Sequence, residues 1–427
     1  MSQTATPQAA PPPPAAVAKA PAPAPAVAGQ PTPGLVDTPA LLNRWQLIGM
    51  TVAILFGVFS ALIQFGAWQS DGRAADDTEQ LVRVQEIKSS LLRADALATN
   101  AFLVGGLEDP DQRKEYDAAL SSVLTEIANA AESQPADREV LAALNVEVAD
   151  YATAVAQARN NNRLGYPIGA EYLRGASKEL RSDAIPLIDN MVTANTERTE
   201  DAMAGQHPIW LVLLGLAVLV VLVWLNRELA KHFHRRINKG IAVAAVIVLV
   251  VTVVTAFGAL VRDNSNDSLL DGELATAVSE SNARTAANDA KASESLRLIA
   301  RVPGDSASET AWLVSREIVD KSASRETVGA WNDYVAQHDE IVELDNAGQW
   351  DEAVKRATEA KGGSTEPLDS FDAIAKSVVT ETRDEVVDDL RSGRTLALLL
   401  SGLTVLLGVA AAVAVSRGIG ERRREFS

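Results

Sequence analysis

Four apolar runs, two long acidic segments and a short basic loop between the halves predict an all-α membrane protein. The predicted fold is four transmembrane helices with two extracytoplasmic four-helix bundles, arranged as a tandem duplication. Residues 47–67, 209–225, 241–261 and 395–415 contain no Asp, Glu, Lys, Arg or His. A bilayer core is spanned by about 20 apolar residues, within a usable range of roughly 17 to 25, and all four runs fit. The second is the shortest, but Trp210 and Trp224 stand near its ends, where interfacial indoles are expected.

Charge sets the orientation. Residues 69–207 hold 13 basic and 24 acidic side chains, and residues 262–394 hold 15 and 28. The rest of the chain holds 11 basic and 4 acidic. Lys and Arg accumulate on the cytoplasmic side of membrane proteins, so both termini and the central loop are expected inside the cell and both acidic segments outside. The expected location is the plasma membrane, multi-pass. Surfaces this negative argue against binding nucleic acid. There is no cysteine, which excludes disulfides, thiol catalysis and cysteine-rich metal sites.

In chain order, residues 1–45 form a Pro/Ala-rich disordered cytoplasmic tail. Its first 40 residues carry 11 of the 18 prolines, a composition that favours extended polyproline II over a packed core. It does not read as a cleavable signal peptide, because the apolar run comes late and is too long. Residues 46–68 are the first transmembrane helix and 69–207 the first outer bundle. Val84, Ile87, Leu91, Ala94, Ala98 and Ala101 follow a 3-4 spacing, the seam of a bundle helix. Tyr116, Leu120, Val123, Ile127 and Ala130 repeat it, as do Leu141, Leu144, Val148, Tyr151, Val155 and Ala158. A fourth helix is expected from about Ala170, bent by Pro186.

Residues 208–226 are the second transmembrane helix, 227–240 the basic cytoplasmic loop, and 241–261 the third transmembrane helix. The second outer bundle, 262–394, repeats the plan of the first. DALAT at Asp95 matches DAKAS at Asp289, and Tyr151, Gly165 and Ala170 are spaced like Tyr334, Gly348 and Ala353. In order, these matches argue for duplication. Residues 395–416 form the last span and 417–427 a cytoplasmic tail.

No catalytic constellation, cofactor fingerprint or metal-ligand pattern is found, so the chain reads as a non-enzyme without cofactor or metal. His338 continues a seam of Val328, Trp331, Val335 and Val342 and reads as half-buried packing. Acidic pairs on the long helices read as solvent-facing decoration. The spans lack the ionisable groups and interior prolines of transporters; Gly57 and Ala61 offer a small-residue contact. What remains is a device for carrying a conformational change across a bilayer. An outer helix of 34 residues is about 50 Å long, so an event at a distal tip could shift a span. Candidate partner-binding residues at those tips are Gly105, Gly106, Glu108, Asp109, Arg163, Tyr166 and Trp350. Candidate output residues on the inner side are Arg227, Lys231, Arg235, Arg236, Lys239, Arg422, Arg423 and Arg424. Arg93 and Arg174, which could clamp a ligand carboxylate, are expected to pair with Asp95 and Glu171.

A span, a four-helix outer bundle and a second span resemble the ligand-binding half of bacterial chemoreceptors. The stretch ATNAFLVGGLEDP at Ala98–Pro110, the duplication and the Pro-rich tail resemble the actinobacterial GlnX-type membrane proteins. That resemblance implies a sensor of glutamate, aspartate and glutamine. It implies as partners a substrate-binding lipoprotein outside and the soluble protein kinase G inside, besides the lipid bilayer and room for a homo-oligomer. Unlike chemoreceptors, the chain carries no methylation helices or kinase domain, and with 12 residues after Val415 its output is expected to pass to a separate protein. The alternatives are direct small-ligand binding by a four-helix-bundle receptor and a structural scaffold of a cell-surface complex.

Overall fold

Two helices that each run from an apolar stretch into an acidic one set the architecture. The computed structural model of the protein describes residues 38–105, 109–233, 237–302 and 306–424, and every regular element in them is helical. The first helix, α1 (Thr38–Val104), runs unbroken through the first apolar run and on into the acidic segment. The last, α12 (Thr365–Arg424), does the same in reverse.

Between them lie α2 (Pro110–Ser133), α3 (Arg138–Arg163), α4 (Ile168–Glu179), α5 (Ile185–Met203), α6 (Pro208–Phe233) and α7 (Lys239–Leu269). Then follow α8 (Ala275–Ala300), α9 (Ser306–Ser322), α10 (Val328–Asn346) and α11 (Trp350–Thr358). A π-turn, Leu180–Ala184, joins α4 to α5, and another, Leu270–Leu274, joins α7 to α8. The first stands just before Pro186, so the proline that predicts a bend is accommodated by a local change of hydrogen-bond register. Four of the helical stretches are long and apolar enough to cross a membrane.

Local signals place the ends. Asp109 caps α2, its side chain accepting from the Asp111 N–H at 2.8 Å, with Pro110 at the first position. Asn238 caps α7 and accepts from the N–H groups of Gly240 and Ile241. The α1 helix stops where Gly105 takes the left-handed conformation, φ +68°.

The helices α1 and α12 lie antiparallel over almost their whole length. Gln46 donates to Ser416 at 2.8 Å, Gln64 to Thr404 at 3.0 Å, and the Ser401 hydroxyl to the Ala61 carbonyl at 3.1 Å. Gly57 faces Gly408 so closely that a Cβ on it would lie 3.0 Å from the Gly408 Cα. The small-residue contact read from Gly57 and Ala61 therefore has its partner in α12. Beyond the apolar part, Arg391 pairs with Glu79 and Lys376 with Glu86, at 2.9 and 3.0 Å, and Arg93 pairs with Asp369. From Gln46 to Arg93 these ties cover roughly 70 Å of helix.

In the span region α6 and α7 complete a four-helix bundle with a core of Phe56, Leu222, Leu225, Ala244, Val248 and Val415. Outside it lies the head, in two lobes. The first is α2 to α5 packed on the distal half of α1; the second is α9 to α11 packed on α8 and the first half of α12. The lobes are not separate bundles. The first-lobe core takes in Leu298, Ile299, Ile341, Ala353 and Ala357 from the second half of the chain, and α1 packs along both α8 and α12.

Candidate signal-transmission site

Where the head meets the spans, one buried carboxylate gathers all four long elements. Asp71 of α1 is 1 % exposed. It accepts hydrogen bonds from Gln206, in the link between α5 and α6, at 3.1 Å, and from Asn266 of α7 at 3.3 Å. Arg262 of α7 pairs with it at 3.2 Å and also with Asp389 of α12 at 3.0 Å. A buried ion must be paired and hydrogen-bonded or its desolvation cost is not offset, and Asp71 meets that condition only while the four strands of chain keep this spacing. Three of the four passages from head to span are continuous helix. The fourth, residues 204–207, breaks the helix at this clasp. Gly205 lies so close to α1 that a Cβ there would stand 1.9 Å from the Ser70 hydroxyl. Beneath the clasp, toward the head, Ala74, Leu81, Met203, Leu274, Val387 and Leu390 form a small core of their own.

Further from the spans, the lobes are joined by charge. Arg181, on the first π-turn, donates from Nη1 to Asp95 of α1 and from Nε to Asp289 of α8, both at 2.9 Å. The aspartates of the matched DALAT and DAKAS stretches thus meet on one guanidinium. Burial works against its charge, but the two carboxylates outweigh burial and hold its pKa above the ordinary value. Asp95, wholly buried, also accepts from the Tyr151 and Ser177 hydroxyls at 3.1 and 2.6 Å. Arg284 of α8 bridges Asp372 of α12 and Glu86 of α1, and Ser89 and Thr285 share a hydrogen bond at 2.8 Å.

The second lobe encloses a charged centre. Lys291 donates to Glu294, Ser364 and the Ala357 carbonyl, each at 2.7 Å, and His338 Nδ1 lies 2.9 Å from Glu294. The imidazole stacks on Trp312, with ring centroids 3.7 Å apart, and its Nε2 faces Glu309 at 3.7 Å. Burial lowers the His338 pKa, but its hydrogen bond to Glu294 and the nearby carboxylate of Glu309 outweigh burial and set it above the ordinary histidine value. Burial raises Glu294, yet the Lys291 charge and the His338 hydrogen bond bring it to about 2. Arg297 continues the network to Asp345 at 3.0 Å and Glu309 at 3.0 Å. A serine beside a lysine could serve as a nucleophile, but Ser364, Lys291 and Glu294 are all sealed from solvent. Their geometry suits holding helices in register.

The residues predicted at the tips fall in two groups. Gly105 ends α1 and Asp109 caps α2. Arg163, the last residue of α3, and Tyr166, on the turn after it, are exposed, and the end of α3 is tied to the end of α1 by a hydrogen bond from Asn162 to the Phe102 carbonyl. The first-lobe residues therefore share one end of the head. Gly106 and Glu108 lie outside the described residues. Trp350 is half-buried, donates to the Leu298 carbonyl at 2.8 Å and lies 4.0 Å beneath the Arg301 guanidinium, so it closes the end of a core. At the opposite end of the molecule Arg227 and Lys239 are exposed, Lys231 pairs with Glu228 at 2.7 Å, and Arg422, Arg423 and Arg424 form the last turn of α12. Arg235 and Arg236 lie outside the described residues.

Three expectations are corrected. Arg174 pairs with Glu171 as expected, but Arg93 reaches Asp369 and Glu115 rather than Asp95, which points inward to Arg181. His338 is fully buried, and the carboxylates of Asp71, Asp95, Glu294 and Asp345 are interior rather than solvent decoration. The available signal was the density of Ala, Ser and Thr around 89–101 and 276–295, which marks helices approached closely from several sides.

Residues 70–204 match the family model of an actinobacterial sensor domain. The matched stretch begins at the clasp and ends where α5 does, so it covers the first lobe. No curated protein and no solved structure is significantly similar to the chain. With four helices able to span a membrane, the likeness supports a multi-pass membrane protein with a sensing role.

Proposed function

We propose that the chain is a non-enzymatic signalling adaptor of the plasma membrane, with its head outside the cell and both termini in the cytoplasm. In this reading it relays the external availability of glutamate, aspartate or glutamine, received through a substrate-binding lipoprotein docked on the tips near Gly105, Tyr166 and Trp350. The signal passes to a cytoplasmic kinase at the basic face formed by Arg227, Lys231 and Lys239 and the arginines that end α12. The observation that carries the reading is the continuity of α1 and α12 from the spans to the far part of the head, cross-tied throughout and clasped at Asp71. A displacement at the tip has a stiff path to the inner face, and interfaces of this kind switch between discrete arrangements rather than deform smoothly. The excess of Lys and Arg outside the two acidic segments supports the orientation.

Phosphoproteome measurements on cells shifted into and out of external glutamate test the relay. A set of phosphorylation sites should respond in cells carrying the chain and lose the response when its gene is deleted. An unchanged response after deletion would remove the reading. In intact cells an impermeant maleimide should label Tyr166→Cys and leave Lys231→Cys unlabelled; the opposite pattern would invert the topology.

A further inference from the structure

One cleft in the head differs from its surroundings in charge. It has a volume of about 750 Å³ and lies between the lobes, where α4 and the first π-turn face the converging ends of α8 and α9. Its first wall is Arg174, Ser177, Lys178, Arg181 and Ser182. These are positions i, i+3, i+4, i+7 and i+8, one face of a helix. Bundle helices ordinarily carry apolar residues at that spacing, and this one carries three cations and two hydroxyls. The facing wall is mostly apolar, with Leu296, Ala300, Val302, Ala307 and Ala311, and carries two hydroxyls, Ser293 and Ser308. No Asp or Glu is among the described residues lining the cleft, in a head where acids outnumber bases in both lobes.

The cations are not equally engaged. Arg181 is ion-paired on both sides, with Asp95 and Asp289, and serves as a fixed support. Arg174 spends one end on Glu171, while its Nε is buried and has no hydrogen-bond partner among the described residues. Lys178 is exposed, with neither an ion pair nor a hydrogen bond among the described residues. The π-turn that accommodates Pro186 also seats Arg181 and Ser182 on this face.

We propose that this inter-lobe cleft binds a small organic carboxylate directly. The carboxylate sits on Lys178 and Arg174, and an aliphatic or aromatic body lies against Leu296, Ala300 and Val302. This goes beyond the adaptor reading, because relay through a lipoprotein needs no ligand site in this chain. Since the two walls belong to different lobes, a bound acid favours the arrangement that keeps them together, by its difference in affinity between arrangements.

The test is calorimetric titration of the full chain in lipid nanodiscs with 3-methylbutanoate and phenylacetate, with inorganic phosphate and empty nanodiscs as controls. At least one organic acid should bind saturably and more tightly than phosphate. Arg174→Gln with Lys178→Gln should weaken it roughly tenfold or more, the size of one lost charge-assisted contact. Lys114→Gln, which removes an exposed cation paired with Asp111 on α2, should leave it unchanged. If the double variant misfolds by circular dichroism, Lys178→Gln alone supplies the comparison, since that side chain is exposed. Absence of saturable binding for both acids, equal binding of phosphate, or undiminished affinity in the folded variant would each overturn the proposal. None of those results bears on the phosphorylation response that tests the adaptor reading.

Discussion

In the first lobe, Leu141, Leu144, Val148, Val155, Ile188 and Val123 make an aliphatic interior against α1, with two buried acids, Asp95 on Arg181 and Asp137 on Gln80, Asn195 and Arg198, at its edges. In the second, the same order of helices surrounds α8, whose inward residues are Ala283, Ala286, Ala287 and Ala290. Trp312, Trp331, Tyr334 and Phe371 fill the space those alanines leave. Beside them lie Lys291, Glu294, His338 and Arg297, all almost wholly buried. An aliphatic core is non-directional and tolerates small shifts. A buried charge network is stable only at one geometry, and removing one member leaves the others uncompensated. The first lobe thus relies at its centre on forgiving aliphatic packing, with its buried acids at the edges, and the second has charges at its centre that fix one register. The family likeness covers the forgiving lobe.

Removing the central carboxylate should widen that contrast most. Glu294→Ala leaves the Lys291 ammonium and the His338 ring without their shared acceptor, and breaking a buried pair costs about 3–5 kcal/mol. Asp95→Asn, the nearest equivalent in the first lobe, keeps a neutral acceptor for Tyr151 and Ser177 and leaves Arg181 on Asp289, so about 1–3 kcal/mol is expected. Denaturant melting of the full chain in detergent compares the two, and hydrogen exchange assigns the loss to a lobe. Equal effects would mean that the second-lobe network contributes no more than its hydrogen bonds.

Acidity acts on the second lobe through two groups of opposite sign. His338 is raised, so the stability it contributes is fully present below the ordinary histidine pKa and is lost as pH rises through its folded value. Glu294 is depressed to about 2, so its contribution is present above the ordinary glutamate pKa and lost only as pH falls toward that value. The groups facing the imidazole are Glu294, Glu309 and the rings of Trp312 and Tyr334, with Lys291 and Arg297 one contact away. The core of the first lobe contains no histidine. On moving from mildly acidic to alkaline buffer, amides of α9 and α10 should exchange faster, while those of α2 and α3 keep pace with the intrinsic rate change. The difference should vanish in His338→Phe. Parallel acceleration in both lobes would show that His338 does not set the trend.

Much of this architecture was legible in the sequence, and for a common reason. The spans and the seams at Leu141–Ala158 and Tyr116–Ala130 follow from local chemistry: apolar length and 3-4 spacing. What the pattern did not yield is everything that depends on a second surface. The union of the lobes needs α1 to be buried on faces that carry Ser89, Asp95 and Thr99, residues that read as solvent-facing in isolation. The Asp71 clasp and the inter-lobe cleft draw on residues more than 100 positions apart. Spacing along one helix carries no information about the helix opposite.

The smallest expected effect concerns the two ends that α1 and α8 present. The first closes on Gly105 at φ +68°, and the second on Arg301 at φ 51°, a conformation unfavourable for a residue with a Cβ. Holding Arg301 there costs about 1–2 kcal/mol, while its stack on Trp350 returns about 0.5–1 kcal/mol. Arg301→Gly removes both terms, so the melting midpoint should stay the same or rise slightly. Gly105→Ala imposes the strain with no aromatic beneath it. Nothing crowds a Cβ at that position, so the cost there is conformational, about 1–2 kcal/mol. A clear loss of stability in Arg301→Gly would mean that the guanidinium fastens Trp350 over the core more firmly than an exposed cation–π contact allows. The second lobe would then depend on its charged groups at its tip as well as at its centre.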